Sequence, residues 1–529
     1  MANPKGYVSF VLHAHLPFVH HPESEDYLEE KWLFEAMSEV YIPLLENFEK
    51  LVEEKVDFRL TMSLTPSLIS MLTNKLLQKR YIKYLKQHIE LSKKEITRMK
   101  DEPHFLDLAK MYYERYSNDL YVFKEKYECN LVNGFKKFQD LGYLEIITCG
   151  ATHGYFPMLV LNEKTIRAQI QVGVETYEKH LGRKPKGIWL PECGYVKESE
   201  KYLKEFGIEY FITESHGILY ANPIPIYGTY APIISDNGLC AFGRDLDTSR
   251  QVWSSEIGYP GDVNYREYYR DIGYDCPDYE YIKPYIANNG HRVHTGIKYY
   301  RITGKTEDKK PYVPQWARDS AEKQAGHFLD ERMKQIEHLS SFMKIPPVIL
   351  SPYDAELFGH WWYEGPYWLY VLFKKIHFDQ NTFKLITPSE YIRKHPVIQK
   401  SNPALSSWGA NGYSEVWINN KNDWAIRHVT KCGEKMVKLA QKYPNAKGLM
   451  KQALNQCARE LLLLQSSDWA FIITNDTMVD YAIKRIKDHT GRFNTLYNMI
   501  EKNDIDKEFL NDTKKRDNIF PDIDYTMYC

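Results

Sequence analysis

The segment Gly187-Ile188-Trp189-Leu190-Pro191-Glu192-Cys193-Gly194-Tyr195 places one carboxylate directly after a short apolar run. Glu192 lies between a proline and a turn of small residues, so a fixed backbone there could aim its side chain in a single direction. An apolar run followed by polar and Gly/Pro-rich residues also occurs at 7–12, 58–64, 144–148, 210–213 and 348–350. Longer amphipathic stretches separate these runs, which is typical of the strand–loop–helix units of a parallel sheet.

The residues that follow these runs include most of the histidines and acids suited to chemistry. The runs lead into His-Ala-His-Leu-Pro after residue 12, Pro-Glu-Cys-Gly-Tyr after residue 190 and Ser-Pro-Tyr-Asp-Ala-Glu after residue 350. In α/β barrels and open parallel sheets the loops at the carboxyl ends of the strands converge, and active sites lie there. The sequence therefore predicts an α/β fold with its catalytic residues at that edge.

Two other regions have helical patterns. Residues 71–137 are rich in Lys, Glu and Leu without a strand signal, which predicts a helical insertion covering the barrel. From about residue 425 the apolar spacing i, i+3, i+4, i+7 predicts core-facing helices. This spacing is carried by Met450, Ala453, Leu454, Cys457, Ala458, Leu461 and Leu462. Because 529 residues exceed one hydrophobic core, we expect a large catalytic domain and a helical C-terminal domain, joined near residues 400–404.

Composition limits the classes of partner. The formal net charge is -1 with 26% charged residues, which gives no electrostatic reason to bind nucleic acid or an anionic membrane. Aromatic residues reach 14% of the chain, including 41 tyrosines. Rings with flat apolar faces and polar edges suit clefts that bind sugars, although they also suit a tyrosine-rich core.

The N-terminal residues and the cysteines predict a cytoplasmic protein. The first residues lead directly into the run at 7–12, without the long apolar segment of an export signal. No run reaches the roughly 18 apolar residues of a membrane helix. The eight cysteines are scattered without a CxxC pair, which favours free thiols in a reducing compartment. The oligomeric state is open, and a monomer is our expectation.

A second acidic segment follows the run at 348–350. It contains Asp354 and Glu356, and alternation along an extended chain would point both side chains the same way. Two carboxylates facing each other across a cleft can break a glycosidic bond. One attacks the anomeric carbon, and the other, kept protonated by burial or like charge, protonates the leaving oxygen. Glu192 and one of these acids could form such a pair, or all three could make ion pairs or cap helices; the residues alone do not decide between Asp354 and Glu356.

Five short motifs occur in order along the chain, at 13–17, 150–154, 189–195, 353–356 and 408–424. Together they resemble the signature regions of glycoside hydrolase family 57, and they extend over nearly the whole chain. Residues 251–271 are most similar to the branching-enzyme subgroup of that family, which also includes enzymes described as α-amylases.

The resemblance implies a (β/α)7 barrel, which is an incomplete relative of the eight-fold barrel. Residues 1–198 and 251–400 are expected to form the barrel, and 199–250 a small inserted domain with an active-site loop. Residues 401–529 are expected to form a helical domain that contributes to the cleft.

The family pattern also implies roles for individual residues. Glu192 would be the nucleophile and Asp354 the general acid/base, leaving Glu356 as a supporting charge. A retaining pair of this kind should lie about 5 to 5.5 Å apart. The expected substrate contacts are His13, His15 and His153 at the donor subsite, Trp408 and Trp417 on the acceptor side, Asp468 from the C-terminal domain, and Trp189, Trp253, Tyr274 and Trp362 as further sugar contacts.

The N-terminal histidines leave a different class of enzyme open. His13, His15, His20 and His21 lie within nine residues, and strand-end histidines and acids could bind the metal of a polysaccharide deacetylase. The resembled family requires no metal, and no matching downstream Cys/His pair is present in the sequence. We therefore expect these imidazoles to bond sugar hydroxyls, with no metal and no cofactor.

The expected substrate is an α-glucan such as amylose, glycogen or starch, and the expected activity is that of a 1,4-α-glucan branching enzyme with appreciable hydrolysis. In branching enzymes of the resembled family a mobile loop carries a tyrosine near the catalytic pair. The corresponding residues 236–250 contain no tyrosine, and Phe242 is their only aromatic residue, so we expect less complete exclusion of water. An α-amylase or 4-α-glucanotransferase is the close alternative, and a binding-only protein is the alternative from another class.

Overall fold

The computed structural model describes residues 4–24, 28–254, 257–286 and 291–529. Residues 1–3, on which the expected lack of an export signal partly rests, lie outside the described residues. So do residues 255–256, which belong to the stretch that resembles branching enzymes.

A curled sheet of mainly parallel strands forms the centre of the molecule. The strands are β1 (Gly6–Ala14), β2 (Leu60–Leu64), β3 (Leu144–Cys149), β4 (Gly187–Trp189), β5 (Tyr210–Thr213), β6 (Ile233–Ile234), β7 (Cys240–Gly243), β8 (Val348–Asp354), β9 (Phe383–Leu385) and β10 (Gln399–Lys400). Seven of them run parallel in the order β7-β5-β4-β3-β2-β1-β8. Each of the six predicted runs contributes one of these strands, and β7 is the seventh, which the sequence analysis missed.

The two outer strands of this set come close to closing a barrel. The Asp245 amide, just after β7, donates a 2.9 Å hydrogen bond to the Leu350 carbonyl of β8. The accessory strands extend the sheet: β6 pairs antiparallel with β7, β10 pairs with β6, and β9 pairs with β1. The expected fold class, an incomplete parallel barrel surrounded by helices, is confirmed.

Helices cover the outside of the sheet and make up the C-terminal region. They are α1 (Leu28–Ala36), α2 (Ile42–Glu53), α3 (Pro66–Leu72), α4 (Lys75–Arg98), α5 (Pro103–Tyr121), α6 (Leu131–Asp140), α7 (Phe156–Leu159), α8 (Glu163–Leu181), α9 (Glu200–Glu205), α10 (Ser215–Leu219), α11 (Leu246–Trp253), α12 (Ile272–Asp275), α13 (Tyr279–Ile282), α14 (Pro314–Ser340), α15 (Gly365–Phe378), α16 (Pro388–Lys394), α17 (Asp423–Lys442), α18 (Gly448–Leu464), α19 (Ser467–Thr474), α20 (Val479–Lys502) and α21 (Lys507–Arg516). Across the described part of the chain, none of them is long and apolar enough to cross a membrane.

The segment at 199–250 differs from the expectation of a separate inserted domain. It supplies β5 and β7 to the central sheet, with Gly187 paired to Tyr210 and Tyr210 paired to Cys240. Both strands are fully buried, so hydrogen bonding and burial make them part of the barrel. The other proposed domain boundaries stay predictions.

Alternation along the strands builds two apolar layers. Val8, Phe10 and Leu12 of β1 point into the large core between the sheet and the helices. Tyr7 and Val11 belong instead to a smaller core inside the barrel. His13 continues this inward series by a period of two, so β1 delivers its imidazole to the barrel interior at the carboxyl end of the sheet.

Candidate active site

Glu192 lies on a tight 3-10 turn, Pro191–Cys193, directly after β4. Its backbone is in the left-handed region with φ 60°, a conformation that costs of order 1–3 kcal/mol for a residue other than glycine and is often found at functional sites. The Glu192 carbonyl accepts a 2.9 Å bond from the Trp408 amide, which holds the turn in place. The side chain lines a cavity of about 950 Å³ at the mouth of the barrel.

Two donors from distant segments hold the Glu192 carboxylate. The Trp408 indole Nε1 donates to Oε2 at 2.7 Å, and the Ser467 hydroxyl donates to Oε1 at 2.7 Å. Hydrogen bonds to a charged acceptor are stronger than neutral ones and favour the ionised form. The C-terminal region therefore contributes directly to the state of this carboxylate.

Asp354 and Glu356 line the same cavity from the end of β8. Ala355 between them is fully buried in the large core, as the alternation argument predicts. Glu356 accepts a 2.5 Å bond from the Tyr41 hydroxyl and a 3.2 Å bond from the His15 amide. Within the described ranges, no hydrogen-bond donor reaches the Asp354 carboxylate, so the two acids differ in their surroundings.

Burial raises the pKa of all three carboxyls. For Glu192 burial raises the pKa to about 7, against the two hydrogen bonds from Ser467 and Trp408. For Asp354 burial and the neighbouring charge of Glu356 both raise the pKa, to about 7. Burial likewise raises the pKa of Glu356 to about 7, against its bond from Tyr41. Two donors contact the Glu192 carboxylate and none is described at Asp354, so hydrogen bonding favours the ionised form of Glu192 over that of Asp354.

Three histidines form a stacked cluster beside Glu192. The His13 ring stacks on Trp189 with centroids 4.6 Å apart, and its Nε2 lies 3.0 Å from Nε2 of His153. His153 stacks on His15 at 3.9 Å. His153 also hydrogen-bonds the Ser467 hydroxyl through Nδ1 at 2.7 Å. The structure thus brings together the three predicted histidines and the predicted acid.

One histidine of the cluster is paired with a carboxylate. Burial lowers the pKa of His13 and of His153 well below the usual value. For His15 burial acts in the same direction, but the Asp468 carboxylate, 3.1 Å from Nε2, outweighs it and raises the pKa. Burial alone would raise the pKa of Asp468, yet the pairing with His15 lowers it to about 2. The pairing with Asp468 therefore favours the protonated form of His15, whereas burial disfavours that form in His13 and His153.

The histidines of the metal alternative do not converge. His20 hydrogen-bonds the Arg516 carbonyl at 2.8 Å, and His20 and His21 line a different cavity from the one that holds His13 and His15. His15, His153 and Asp468 do have ligand atoms within 4.8 Å of one another. Each of these three side chains is already hydrogen-bonded, to Asp468, Ser467 and His15 in turn. The donor set is therefore satisfied as a hydrogen-bonded cluster.

The predicted aromatic contacts divide into two groups. Trp253 and Trp408 line the catalytic cavity, and Tyr274 lines an adjoining one. Trp417, expected on the acceptor side, also borders the catalytic cavity but is 1% exposed and packs on Tyr155 with ring centroids 4.9 Å apart, so it supports the wall instead of offering a face to a sugar. Trp189 and Trp362, in contrast, are 0% and 1% exposed, and neither is among the described residues that line these cavities.

Burial corrects the expectation for Trp189 and Trp362. Trp189 supports His13 from the barrel interior. Trp362 packs against Tyr265 and Trp368 in the large core, because the turn at Gly359 directs the chain inward. Its neighbour Trp361, which the sequence analysis passed over, is 51% exposed and lines both cavities.

The expected active-site loop at 236–250 has a different structure from the one predicted. It contains β7, and Phe242 is 1% exposed against Tyr210 and Tyr391 inside the barrel. Arg244, which follows β7, lines the catalytic cavity and pairs with Glu214 at 3.1 Å. The segment therefore forms part of the barrel wall.

A curled parallel sheet with buried carboxylates at its carboxyl end is the arrangement of a barrel glycoside hydrolase. Residues 9–335 match the family model described as glycosyl hydrolase family 57, and residues 428–528 match the model described as 1,4-alpha-glucan branching enzyme, C-terminal. The chain belongs to glycosyl hydrolase family 57, and the resemblance drawn from its motifs is confirmed.

Named relatives include branching enzymes and an amylase. The chain is 34% identical over 98% of its length to a 1,4-alpha-glucan branching enzyme of Thermococcus kodakarensis, of which it covers 77%. Its structure is similar to that of the alpha-amylase AmyC from Thermotoga maritima, with 45% identity, a TM-score of 0.93 and coverage of 99% of both chains. It is also similar to a branching enzyme from Pyrococcus horikoshii, with 35% identity, a TM-score of 0.88 and coverage of 99% of this chain and 97% of that one.

Proposed function

We propose that the protein is a retaining 1,4-α-glucan branching enzyme, with Glu192 as nucleophile and Asp354 as general acid/base. The observation that carries the proposal is the unequal environment of these two buried acids on one cavity. Trp408 and Ser467 donate to Glu192, whereas Asp354 faces the like charge of Glu356. The family and its named branching enzymes supply the substrate class, an α-1,4-glucan.

The first step would transfer the donor chain to the enzyme. A Glu192 oxygen bonds to the anomeric carbon as the bond from that carbon to the leaving O4 breaks, and Asp354 gives its proton to O4. The bonds from Trp408 and Ser467 orient the attacking carboxylate. The pair of His15 and Asp468, which lines the cavity, is suited to contact the hydroxyls of the donor sugar. His13 and His153 are almost fully buried and hydrogen-bonded to each other, so they support His15 by stacking.

The second step decides the product. The 6-hydroxyl of another glucan bonds to the anomeric carbon, the bond to Glu192 breaks, and the hydroxyl proton passes to Asp354. Two inversions at one carbon restore the α configuration. If water takes the place of the 6-hydroxyl, the same chemistry gives hydrolysis. The likeness to the amylase AmyC makes α-amylase activity the second candidate.

Incubation of the protein with amylose should give new α-1,6 linkages together with some reducing ends. Proton NMR of the product measures the α-1,6 signals, and a debranching enzyme should remove them. The Glu192→Gln variant, prepared in parallel, controls for contaminating enzymes. A product with reducing ends and no α-1,6 signal would leave only the amylase candidate.

Replacing Ser467 with alanine should shift the acid limb of the pH profile of kcat/KM to higher pH. The variant removes a donor to the charged form of Glu192, which raises the pKa of that carboxyl further. A hydrogen bond to a charged group corresponds to a shift of about one pH unit. Ser199→Ala is the control. Ser199 is also buried, but its hydroxyl donates to the Val196 carbonyl and not to Glu192. An unmoved acid limb in Ser467→Ala would contradict Glu192 as the group that must ionise.

We also propose a reducing, cytoplasmic location and a role in glycogen metabolism. The location is supported by the eight cysteines, which are all free thiols. The role follows from the proposed activity, since branches in storage glucans require such an enzyme.

A further inference from the structure

A second cavity of about 1010 Å³ adjoins the catalytic one. The two share five wall residues, which lie where they meet: Leu16, Glu356, Trp361, Asp468 and Phe471. We call the cavity that holds Glu192 and Asp354 the catalytic arm, and the adjoining one the second arm. Each alone lies near the upper end of the roughly 300–1,000 Å³ of a site for one small ligand, so together they have room for two chains.

The second arm has an aromatic platform at its inner end. Tyr268 stacks on Trp361 with ring centroids 4.3 Å apart and an angle of 27° between the rings. Trp361 presents its other surface to the cavity, where it is 51% exposed. Phe471, 46% exposed, stands nearby on the shared wall. A flat apolar surface with polar neighbours suits the apolar face of a glucose unit.

Buried charged groups fix this platform. The Tyr268 hydroxyl hydrogen-bonds Nε2 of His360 at 3.2 Å, and Nδ1 of His360 bonds Glu39 at 2.6 Å. Glu39 in turn accepts from Arg266 at 2.9 Å, and both are less than 10% exposed. A network with its members paired in this way holds rings rigidly. Tyr268 therefore has little freedom to move away from Trp361.

Gly359 allows the segment that carries Trp361 to pack closely against the backbone of Glu39. Gly359 has φ 121°, and a Cβ at that position would lie 1.8 Å from the Glu39 carbonyl oxygen. Glu39 lies on a π-helix, Met37–Tyr41, whose last residue donates to Glu356. The same short element therefore supports an acid of the catalytic arm and the platform of the second arm, which fixes the two relative to each other.

We propose that the second arm binds the acceptor α-glucan chain, with the stacked Tyr268–Trp361 pair as its main sugar-binding surface. The inference rests on the proposed function, because only transfer requires a second glucan. The acceptor would reach the intermediate on Glu192 past Glu356 and Asp468. Trp408, in the catalytic arm, would contact it only near the reacting carbon.

The test measures how the glycosyl-enzyme partitions between water and acceptor. An activated aryl α-maltooligoside serves as donor, since its small leaving group does not need the second arm. Maltoheptaose serves as acceptor, and transfer products and free donor sugar are counted as its concentration rises. For Trp361→Ala and for Tyr268→Ala, we expect the acceptor concentration that gives half-maximal transfer to rise about tenfold. For Tyr268→Ala, whose ring lines the second arm and not the catalytic one, hydrolysis without acceptor should stay within about twofold of wild type.

Trp316→Ala is the matched control. Trp316 lies on α14, is 50% exposed, stacks on Arg301, and is not among the described residues that line either arm. It should leave the partition unchanged, and Trp361→Phe should retain most of the wild-type behaviour. Because Trp361 is half exposed, its truncation leaves the buried core intact, and Tyr268→Ala tests the same surface from the other ring.

Each outcome separates the two proposals. Wild-type branching with an unchanged partition in Trp361→Ala and Tyr268→Ala overturns the acceptor arm and leaves the branching function standing. Transfer that depends on Trp361 but yields no α-1,6 bond would overturn the branching function and support the second arm as the acceptor site. Hydrolysis alone, at every acceptor concentration, overturns both.

Discussion

Replacing Glu192 with glutamine should lower both cleavage of amylose and chain transfer by about 10⁴-fold or more, because both proceed through the same covalent intermediate. Glutamine has almost the shape of glutamate. Its amide oxygen can accept from Trp408, and its amide nitrogen can donate to the Ser467 oxygen. Activity is measured as reducing ends and as α-1,6 signals from one reaction mixture.

The loss should not come from unfolding. At neutral pH the wild-type site holds a buried carboxyl whose pKa is raised to about 7, and a neutral amide removes the cost of burying its charge. The melting temperature of Glu192→Gln should therefore be at least that of wild type. A variant that keeps its activity would contradict the nucleophile and, with it, both candidate activities.

Chemical rescue distinguishes a nucleophile from any other essential acid. Glu192→Ala leaves space beside the anomeric carbon, which a small anion such as azide can enter. With an activated aryl α-maltooligoside, azide should attack from the side where the carboxylate acted and give the β-configured glycosyl azide. NMR of the product reads this configuration. An α-configured azide would mean that another carboxylate still forms the intermediate.

The fold could be predicted from local patterns wherever a strand lies in a continuous apolar or β-branched run. The apolar runs at 7–12 and 348–350 predict β1 and β8. Such continuous runs are typical of parallel strands that are buried on both faces, as these two strands are. β7, Cys240–Gly243, is as short as β5, but it contains a glycine and an alanine and no β-branched residue. Its strand character comes from pairing with β5, and pairing across thirty residues leaves no local signal. The family resemblance implied an inserted domain at 199–250, whereas β5 and β7 make that segment part of the central sheet.

The site was predictable where a residue belongs to a strand end, and less so elsewhere. His13, Glu192 and Asp354 lie at or just beyond the carboxyl ends of strands that converge on one mouth, so the fold class alone brings them together. Ser467 lies 275 residues from Glu192 in the chain, and only the docking of α19 reveals its contact. Trp361 and Trp362 are adjacent residues of the same type, so the sequence does not distinguish them. The turn at Gly359 determines which of the two side chains reaches the cavity.

Replacing Asp354 with asparagine should lower the cleavage of amylose by about 10²- to 10⁴-fold, because the leaving O4 then departs without a proton. The loss should be much smaller for an aryl α-maltooligoside whose leaving group is stable as an anion. Rates of cleavage for the two substrates, measured side by side, give this ratio. Equal losses on both would argue that Asp354 has a structural role and that Glu356 supplies the proton.

The pH dependence distinguishes Asp354 from Glu356. The acid must be protonated to act, and burial with the charge of Glu356 raises the pKa of Asp354 to about 7. In wild type the basic limb of kcat/KM should therefore fall as the pH rises through that pKa, while the acid limb reports the ionisation of Glu192. Glu356→Gln removes the like charge, so the pKa of Asp354 falls and the basic limb of kcat/KM moves to lower pH. In Asp354→Asn the basic limb on the aryl substrate should disappear.

Azide also tests the role of Asp354, because the expected glycosyl azide has the opposite configuration from the one expected for Glu192→Ala. In Asp354→Ala the nucleophile Glu192 remains, so the aryl substrate still forms the glycosyl-enzyme, and azide then replaces the acceptor in the second step. Two displacements give the α-configured azide, whereas Glu192→Ala gives the β-configured one. Glu356→Ala should give no azide product, since both reacting acids are intact and water or glucan completes the reaction. An α-configured azide from Glu356→Ala, with none from Asp354→Ala, would reverse the roles of the two acids at the end of β8.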